Sequence, residues 1–285
     1  MTFDGLYIPL ITPFAESGEV ALDALERLAN EVLDDGATGL LALGTTGEPG
    51  SLTEAEKHAV VEVAARVCRE RSAPLMVGAG TPEALAELGS RPEVVAALTL
   101  VPPFVRPGEA GVVAYFERLS AASPVPLIAY DIPYRTGQYL SVDALRRLAA
   151  LPRVVGVKYA AGGFNADTIA LMADVPAGFS VFGGDDIYIS PLLALGAHGG
   201  ILASAHIATA DFAALVAAWR SGDVGVARGL GHRLAALSAA LFSEPNPTVV
   251  KAVLHARGRI PTAGVRLPLV GAGAGSLEGA LKEIG

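Results

Sequence analysis

The 285-residue chain has one cysteine, Cys68, so no intrachain disulfide can form, and only four lysines stand against seventeen arginines. Apolar residues make up 52% of it, yet Gly, Pro or charge breaks each run before the roughly 20 residues that a membrane span needs. The N-terminal Met1-Thr2-Phe3-Asp4-Gly5 lacks the basic and long apolar regions of a signal peptide, so a soluble protein of the reducing cytoplasm is expected. A net charge of −8 without any Lys/Arg cluster argues against nucleic acid as a ligand, since neutralising phosphates takes a concentrated basic surface. His58, His198, His206, His232 and His255 show no zinc-ligand spacing, and no serine or cysteine elbow lies near them. Metal and hydrolase chemistry are therefore not expected. There is no internal repeat and no linker-like tract between domains. Gly271 to Gly275 follows no strand and reads as a flexible turn.

What is present is an alternation of short β-type runs with Ala/Leu-rich helical stretches. The runs are Leu6 to Leu10, Gly39 to Leu43, Leu75 to Gly78, Ala97 to Val101, Leu127 to Tyr130, Val154 to Tyr159, Phe179 to Phe182 and Gly200 to Ala203. Between them lie segments with helical spacing, including Leu22 to Leu33, Glu54 to Arg69, Val112 to Ala122, Asp143 to Ala150 and Ile187 to Leu195. Thr53 with Glu56 forms a capping-box signature, and Ser141 or Asp143 can cap the helix after the fifth run. Strands that are continuously apolar are buried on both faces, which points to a parallel sheet covered by helices. Eight such units predict an α/β fold, the closed (β/α)₈ TIM barrel, spanning 1–220. The third helix must be short, because Thr81 to Val95 holds Pro82 and Pro92. Phe212 to Arg220 supplies the eighth barrel helix. A helical C-terminal extension over 221–285 follows, with helices at Val224 to Leu241, Thr248 to Ala256 and Leu277 to Ile284.

Lys158 is the one lysine that sits inside an apolar run, Val154 to Ala160. Burial disfavours an ammonium, so an amine held there is partly neutral near pH 7 and can attack a carbonyl carbon, although a lysine at a strand end can also simply reach solvent. A barrel gathers its active site at the C-terminal ends of its strands. There the sequence places Gly44-Thr45-Thr46-Gly47-Glu48, Tyr130 to Gly137 and Gly183-Gly184-Asp185-Asp186. The glycines flanking Thr45 and Thr46 allow a tight turn whose N–H groups and hydroxyls grip a carboxylate, or an ordinary turn without a ligand. Arg135 can hold a second carboxylate bidentately. Tyr130 is either a proton relay or a core aromatic with a wet tip. Asp185-Asp186 reads as a helix N-cap, and Cys68 as packed core.

These segments, with Gly156-Val157-Lys158 and Glu244-Pro245-Asn246-Pro247-x-x-x-Lys251, resemble in order and spacing the dihydrodipicolinate synthase / N-acetylneuraminate lyase family, from about Gly5 to Leu269. The resemblance implies a (β/α)₈ barrel, usually a homotetramer, that condenses or cleaves pyruvate and an aldehyde through a lysine Schiff base without metal or organic cofactor. It makes Lys158 the nucleophile, Tyr130 the proton shuttle, and Thr45 with Thr46 the pyruvate-carboxylate site. Gly184 and Ile201 would line the pocket. A homo-oligomer, tetramer or dimer, is the implied assembly.

Arg135 and the segment Glu244 to Lys251 resemble the synthase branch, in which the arginine binds the carboxylate of aspartate semialdehyde. Sialic-acid lyases usually lack that arginine. Phe104, in Pro102-Pro103-Phe104-Val105, replaces the tyrosine that in such synthases reaches a neighbouring subunit's site and completes a Thr-Tyr-Tyr relay. A phenyl ring cannot pass a proton. The synthase is the leading reading. A 2-keto-3-deoxy sugar acid aldolase or dehydratase stays open beside it, as does a non-catalytic small-acid binding protein.

Overall fold

A computed structural model describes residues 3–284. Eight parallel strands close on themselves in chain order: β1 (Gly5–Pro9), β2 (Gly39–Ala42), β3 (Leu75–Gly78), β4 (Val94–Leu100), β5 (Leu127–Asp131), β6 (Val154–Tyr159), β7 (Ser180–Gly183) and β8 (Gly199–Ile201). Closure is made by β1 on β8, in register from Gly5↔Gly199 to Tyr7↔Ile201. The helices are α1 (Leu22–Asp34), α2 (Glu54–Arg71), α3 (Pro82–Leu88), α4 (Gly108–Ala122), α5 (Pro133–Thr136), α6 (Val142–Ala149), α7 (Ala166–Ala173), α8 (Ile189–Ala194), α9 (Thr209–Ser221), α10 (Val224–Leu241), α11 (Thr248–Ala256) and α12 (Ala274–Lys282). None of them is long and apolar enough to cross a membrane.

The strands read as continuous apolar runs because they bury both faces. Tyr7, Leu41, Ile128, Phe182 and Ile201 fill the barrel interior, with Tyr7 and Phe182 edge to face at 5.6 Å. The other face of the sheet packs against helices such as α1, whose Leu25, Leu28, Ala29 and Val32 form one buried stripe. Thr53 and Glu56 do form the capping box that starts α2, and Ser141 caps α6. Cys68 is fully buried.

Several boundaries differ from the sequence pattern. β4 starts at Val94, before the apolar run proper, because Val94 already pairs with Leu75. β8 stops at Ile201, since the chain turns at once into a 3₁₀ turn, Ser204–His206. Asp186–Tyr188 is likewise a 3₁₀ turn, so α8 begins only at Ile189. α12 starts at Ala274 with Gly273 as its N-cap; the glycine-rich segment is therefore partly helical, not wholly a turn. α7, capped by a reciprocal Asn165–Thr168 pair, was hidden by its shortness and by the preceding glycines.

The last helices pack on the barrel, α10 lying along α8 and α9. α11 carries Lys251 into the interior with no exposed surface, which corrects the expectation that Lys158 alone sits among apolar residues. Its Nζ lies 2.8 Å from Glu48 Oε1, donates to the Thr12 carbonyl at 2.9 Å, and rests 4.0 Å from the Phe14 ring centroid. Removing one member of a buried ion pair strands the other charge. Lys251→Met should therefore destabilise the fold by about 3–5 kcal/mol in a denaturant titration. Adding Glu48→Gln to it should cost less than the sum of the two single changes, and strict additivity would show that the pair is not coupled.

Candidate active site

The site lies where the strands end. Tyr130 on β5 and Lys158 on β6 are direct register partners, and both point into the barrel. Lys158 is only 5% exposed, and its Nζ stands 4.4 Å from the centre of the Tyr130 ring. Burial lowers the lysine to about 8, with Arg135 reinforcing the shift and Asp186 and Asp185 opposing it. An appreciable fraction of the amine is then neutral near physiological pH. Burial also pushes the Tyr130 phenol up to about 12, against the charge of Arg135 and the hydroxyl of Thr45. Tyr130 consequently keeps its proton and can donate it.

Room for the lysine chain depends on a missing side chain. A Cβ on Gly184, after β7, would stand 2.8 Å from both Cγ and Cε of Lys158. Gly184 thus forms the wall against which the lysine lies extended. Ile201, fully buried on β8, belongs to the same interior cluster.

Thr45–Gly47 forms a 3₁₀ turn at the end of β2. The left-handed residues that shape it are Leu43 and Glu48, each at φ 54°, not the glycines. Gly44 and Gly47 serve close approach instead: a Cβ on Gly44 would meet Leu41 at 3.0 Å and one on Gly47 the Leu10 carbonyl at 3.1 Å. The turn is tied down from outside. Thr12 Oγ1 donates to the Gly47 carbonyl at 2.7 Å, and Glu48 Oε2 accepts from the Arg266 amide at 2.9 Å. Asn246, immediately before α11, donates from Nδ2 to Thr46 Oγ1 at 2.9 Å. The sequence pattern marked Asn246 as part of a motif without suggesting this contact, because 200 positions separate the two residues.

Arg135 stands on the single turn of α5, exposed at the mouth, and its charge reaches both Tyr130 and Lys158. Phe104 is not gathered into this site. It is 88% exposed in the loop after β4, at φ 68°, close in sequence to the similarly exposed Val105. Asp185 does stand at the N-cap position of the 3₁₀ turn Asp186–Tyr188, but it makes no side-chain cap bond, so the capping role expected of the pair is not filled. Asp185 Oδ2 instead accepts from the Gly162 amide at 2.7 Å and Asp186 Oδ2 from the Ser204 amide at 2.6 Å. They brace the loops after β6 and β8, and burial raises Asp186 to about 6. Beside Thr45 and Tyr130 a cavity of about 680 Å³ runs outward past Lys57 and Pro103, alongside the short α3. Among the described residues no cluster of His, Cys, Asp or Glu could hold a metal ion.

A buried, partly neutral lysine at the C-terminal mouth of a (β/α)₈ barrel, beside a protonated phenol and a threonine turn, defines a carbonyl-handling lyase. The dihydrodipicolinate synthetase family model matches residues 2–278, and the chain belongs to that family. It is 37% identical over 293 residues to the 4-hydroxy-tetrahydrodipicolinate synthase of Moorella thermoacetica, covering 100% of this chain and 99% of that one. The solved structure of the chloride-inhibited dihydrodipicolinate synthase from Acinetobacter baumannii, complexed with pyruvate, superposes with a TM-score of 0.92 at 33% identity over 99% of both chains. That of the Thermotoga maritima dihydrodipicolinate synthase gives 0.93 at 28% identity, covering 100% of this chain and 98% of the other.

The contact between Gly184 and Lys158 makes a direct test. Gly184→Ala should leave the protein folded while abolishing most capture of a carbonyl reagent by the Lys158 amine. Unchanged capture in a folded variant would show that the lysine does not depend on this wall.

Proposed function

We propose that the chain is a class I, Schiff-base lyase that acts as a 4-hydroxy-tetrahydrodipicolinate synthase, joining pyruvate to aspartate semialdehyde in lysine biosynthesis. The observation that carries the reading is Lys158, buried and lowered to about 8 beside Tyr130 at the barrel mouth. In this mechanism the neutral amine attacks the ketone carbon of pyruvate, whose carboxylate rests on the Thr45–Thr46 turn. Tyr130 donates the proton that lets the carbinolamine oxygen leave as water. The imine loses a methyl proton to become an enamine, which forms the new carbon–carbon bond to the aldehyde, and hydrolysis then frees the amine. Arg135 holds the aldehyde's distal carboxylate as a bidentate clamp. No metal or organic cofactor enters any step. The barrel of 1–220 carries the reacting groups and 221–285 supports them.

Phe104 and Val105, both exposed in the loop after β4, form an apolar projection suited to a second copy of the chain. A cytoplasmic dimer or tetramer fits the reading. Because Phe104 has no hydroxyl, the relay ends at Thr45 within one chain. That feature keeps a 2-keto-3-deoxy sugar acid aldolase or dehydratase as the second reading, since such an enzyme can use Phe104 as an apolar wall. A non-catalytic acid-binding protein would have no use for a lowered lysine beside a protonated tyrosine.

Borohydride reduction in the presence of pyruvate should add one three-carbon adduct per chain, on Lys158, and the rate of its formation should rise with pH through an apparent pKa near 8. An adduct that survives Lys158→Ala, or a rate that climbs only near the ordinary lysine value, sinks the mechanism.

The second substrate is tested by two substitutions in steady-state kinetics. For a synthase, Arg135→Ala should chiefly raise the KM for aspartate semialdehyde, and Phe104→Tyr should increase turnover, since a placed acid–base group contributes about 10²- to 10⁴-fold. Indifference to both changes would favour the sugar-acid reading.

A further inference from the structure

Thr46 Oγ1 receives a hydrogen bond from Asn246 Nδ2 at 2.9 Å, and both residues are buried. Among the described residues, the threonine's own proton has no acceptor. Asn246 Oδ1 is buried and has no partner either. Amide oxygen and nitrogen are told apart by the bonds they make, and the two orientations here are not equivalent. With Nδ2 toward Thr46, Oδ1 and one N–H of the amide are left without a partner, and the hydroxyl proton is free for a ligand. With the amide reversed, Oδ1 would take the hydroxyl proton itself and leave both N–H groups without a partner.

A hydroxyl has one proton and two lone pairs. Once the amide donates into it, its proton must point away from Asn246. The adjoining turn is closed by Thr12 on the Gly47 carbonyl and by Lys251 and Arg266 on Glu48, so the backbone around Thr46 has little freedom. We propose that Asn246 is a positioning residue that sets the direction of the Thr46 hydroxyl, aiming its proton at the carboxylate of the ketoacid bound at Lys158. The residue comes from the segment after α10, not from the barrel, and acts only through Thr46. A hydroxyl that accepts a hydrogen bond is also a stronger donor, so the same contact tightens the grip on a carboxylate.

This rests on the lyase reading above, and the experiment separates the two. Borohydride-trapped adduct on Lys158 is measured against pyruvate concentration in the full-length protein. Asn246→Asp is nearly isosteric, but its carboxylate accepts the Thr46 proton and turns the hydroxyl around. It should raise the half-saturating pyruvate concentration by about ten- to hundredfold at neutral pH, the loss expected for a hydrogen bond to a charged group. Relative to wild type at each pH, the defect should shrink as the medium is acidified, because the introduced carboxyl, once protonated, can again donate to Thr46. Glu48 and Lys251 are present in both proteins and cancel in that ratio.

Asn246→Ala, which frees the hydroxyl to rotate without reversing it, should give a smaller rise. In a Thr46→Val background neither change should have any further effect. Equal defects in Asn246→Asp and Asn246→Ala, a variant-to-wild-type ratio that does not move with pH, or additivity with Thr46→Val would each overturn the assignment. If Asn246→Asp does not fold, additivity of Asn246→Ala with Thr46→Val decides alone. Absence of any adduct in the wild type overturns the lyase reading, and this inference with it. Normal trapping that is indifferent to substitution of Asn246 overturns this inference only.

Discussion

The Glu48–Lys251 ion pair holds the threonine turn at the barrel mouth in its shape. Glu48 sits in the left-handed region, a conformation without intrinsic appeal for a side-chain-bearing residue, and its two carboxylate oxygens are both engaged, by the Lys251 ammonium and by the Arg266 amide. Lys251 also grips the carbonyl of Thr12, whose hydroxyl in turn holds Gly47. Three distant stretches of chain converge there: the loop after β1, the loop after β2, and the C-terminal helices. Burying two charges is costly unless their remaining hydrogen-bonding capacity is met, and here most of it is. Arg266 carries the clamp outward by a fork-like contact with Glu56, which is itself part of the capping box of α2.

The lysine of the site depends on the opposite treatment. Among the described residues no carboxylate touches Lys158; Asp186 and Asp185 act on it only through space, and each is spent on a backbone amide of a neighbouring loop. The contrast with Lys251 is instructive. Both ammonium groups are buried and both lie over an aromatic ring, but only Lys251 has a direct ion-pair partner, which favours its charged form. Burial lowers the pKa of both, but in Lys251 the Glu48 carboxylate opposes that shift at contact distance, whereas Lys158 meets its carboxylates only through space.

Most of the fold was legible in the sequence because strands buried on both faces are unusually plain: each of the eight runs was continuous, apolar and bounded by turn residues. Lys158, Tyr130, Thr45, Thr46 and Arg135 stood out for the same reason, as polar residues at the ends of apolar runs. Lys251 did not, although it is the more deeply buried lysine, since a charged residue at helical spacing looks like part of a solvated face. The Asp185–Asp186 pair was misread because acidic residues ahead of a helix are common caps, and nothing local indicates that their partners lie on other loops. Asn246 was invisible as a contact of Thr46 for a topological reason. Local pattern carries no information about a bond that closes across nearly the whole chain. Phe104 shows a further limit: sequence pattern placed it at the site, and the structure leaves it exposed in the loop after β4.

The threonine turn forms within the first fifty residues, yet the groups that fasten it, Asn246, Lys251 and Arg266, arrive near the end. The contacts that fasten the turn can form only once residues 246 to 266 have been made. For the same reason, the settling of that turn during refolding reports the docking of the C-terminal segments, and not the closure of the sheet alone. A product cut short after the eighth strand would lack all three of the groups that fasten the threonine turn.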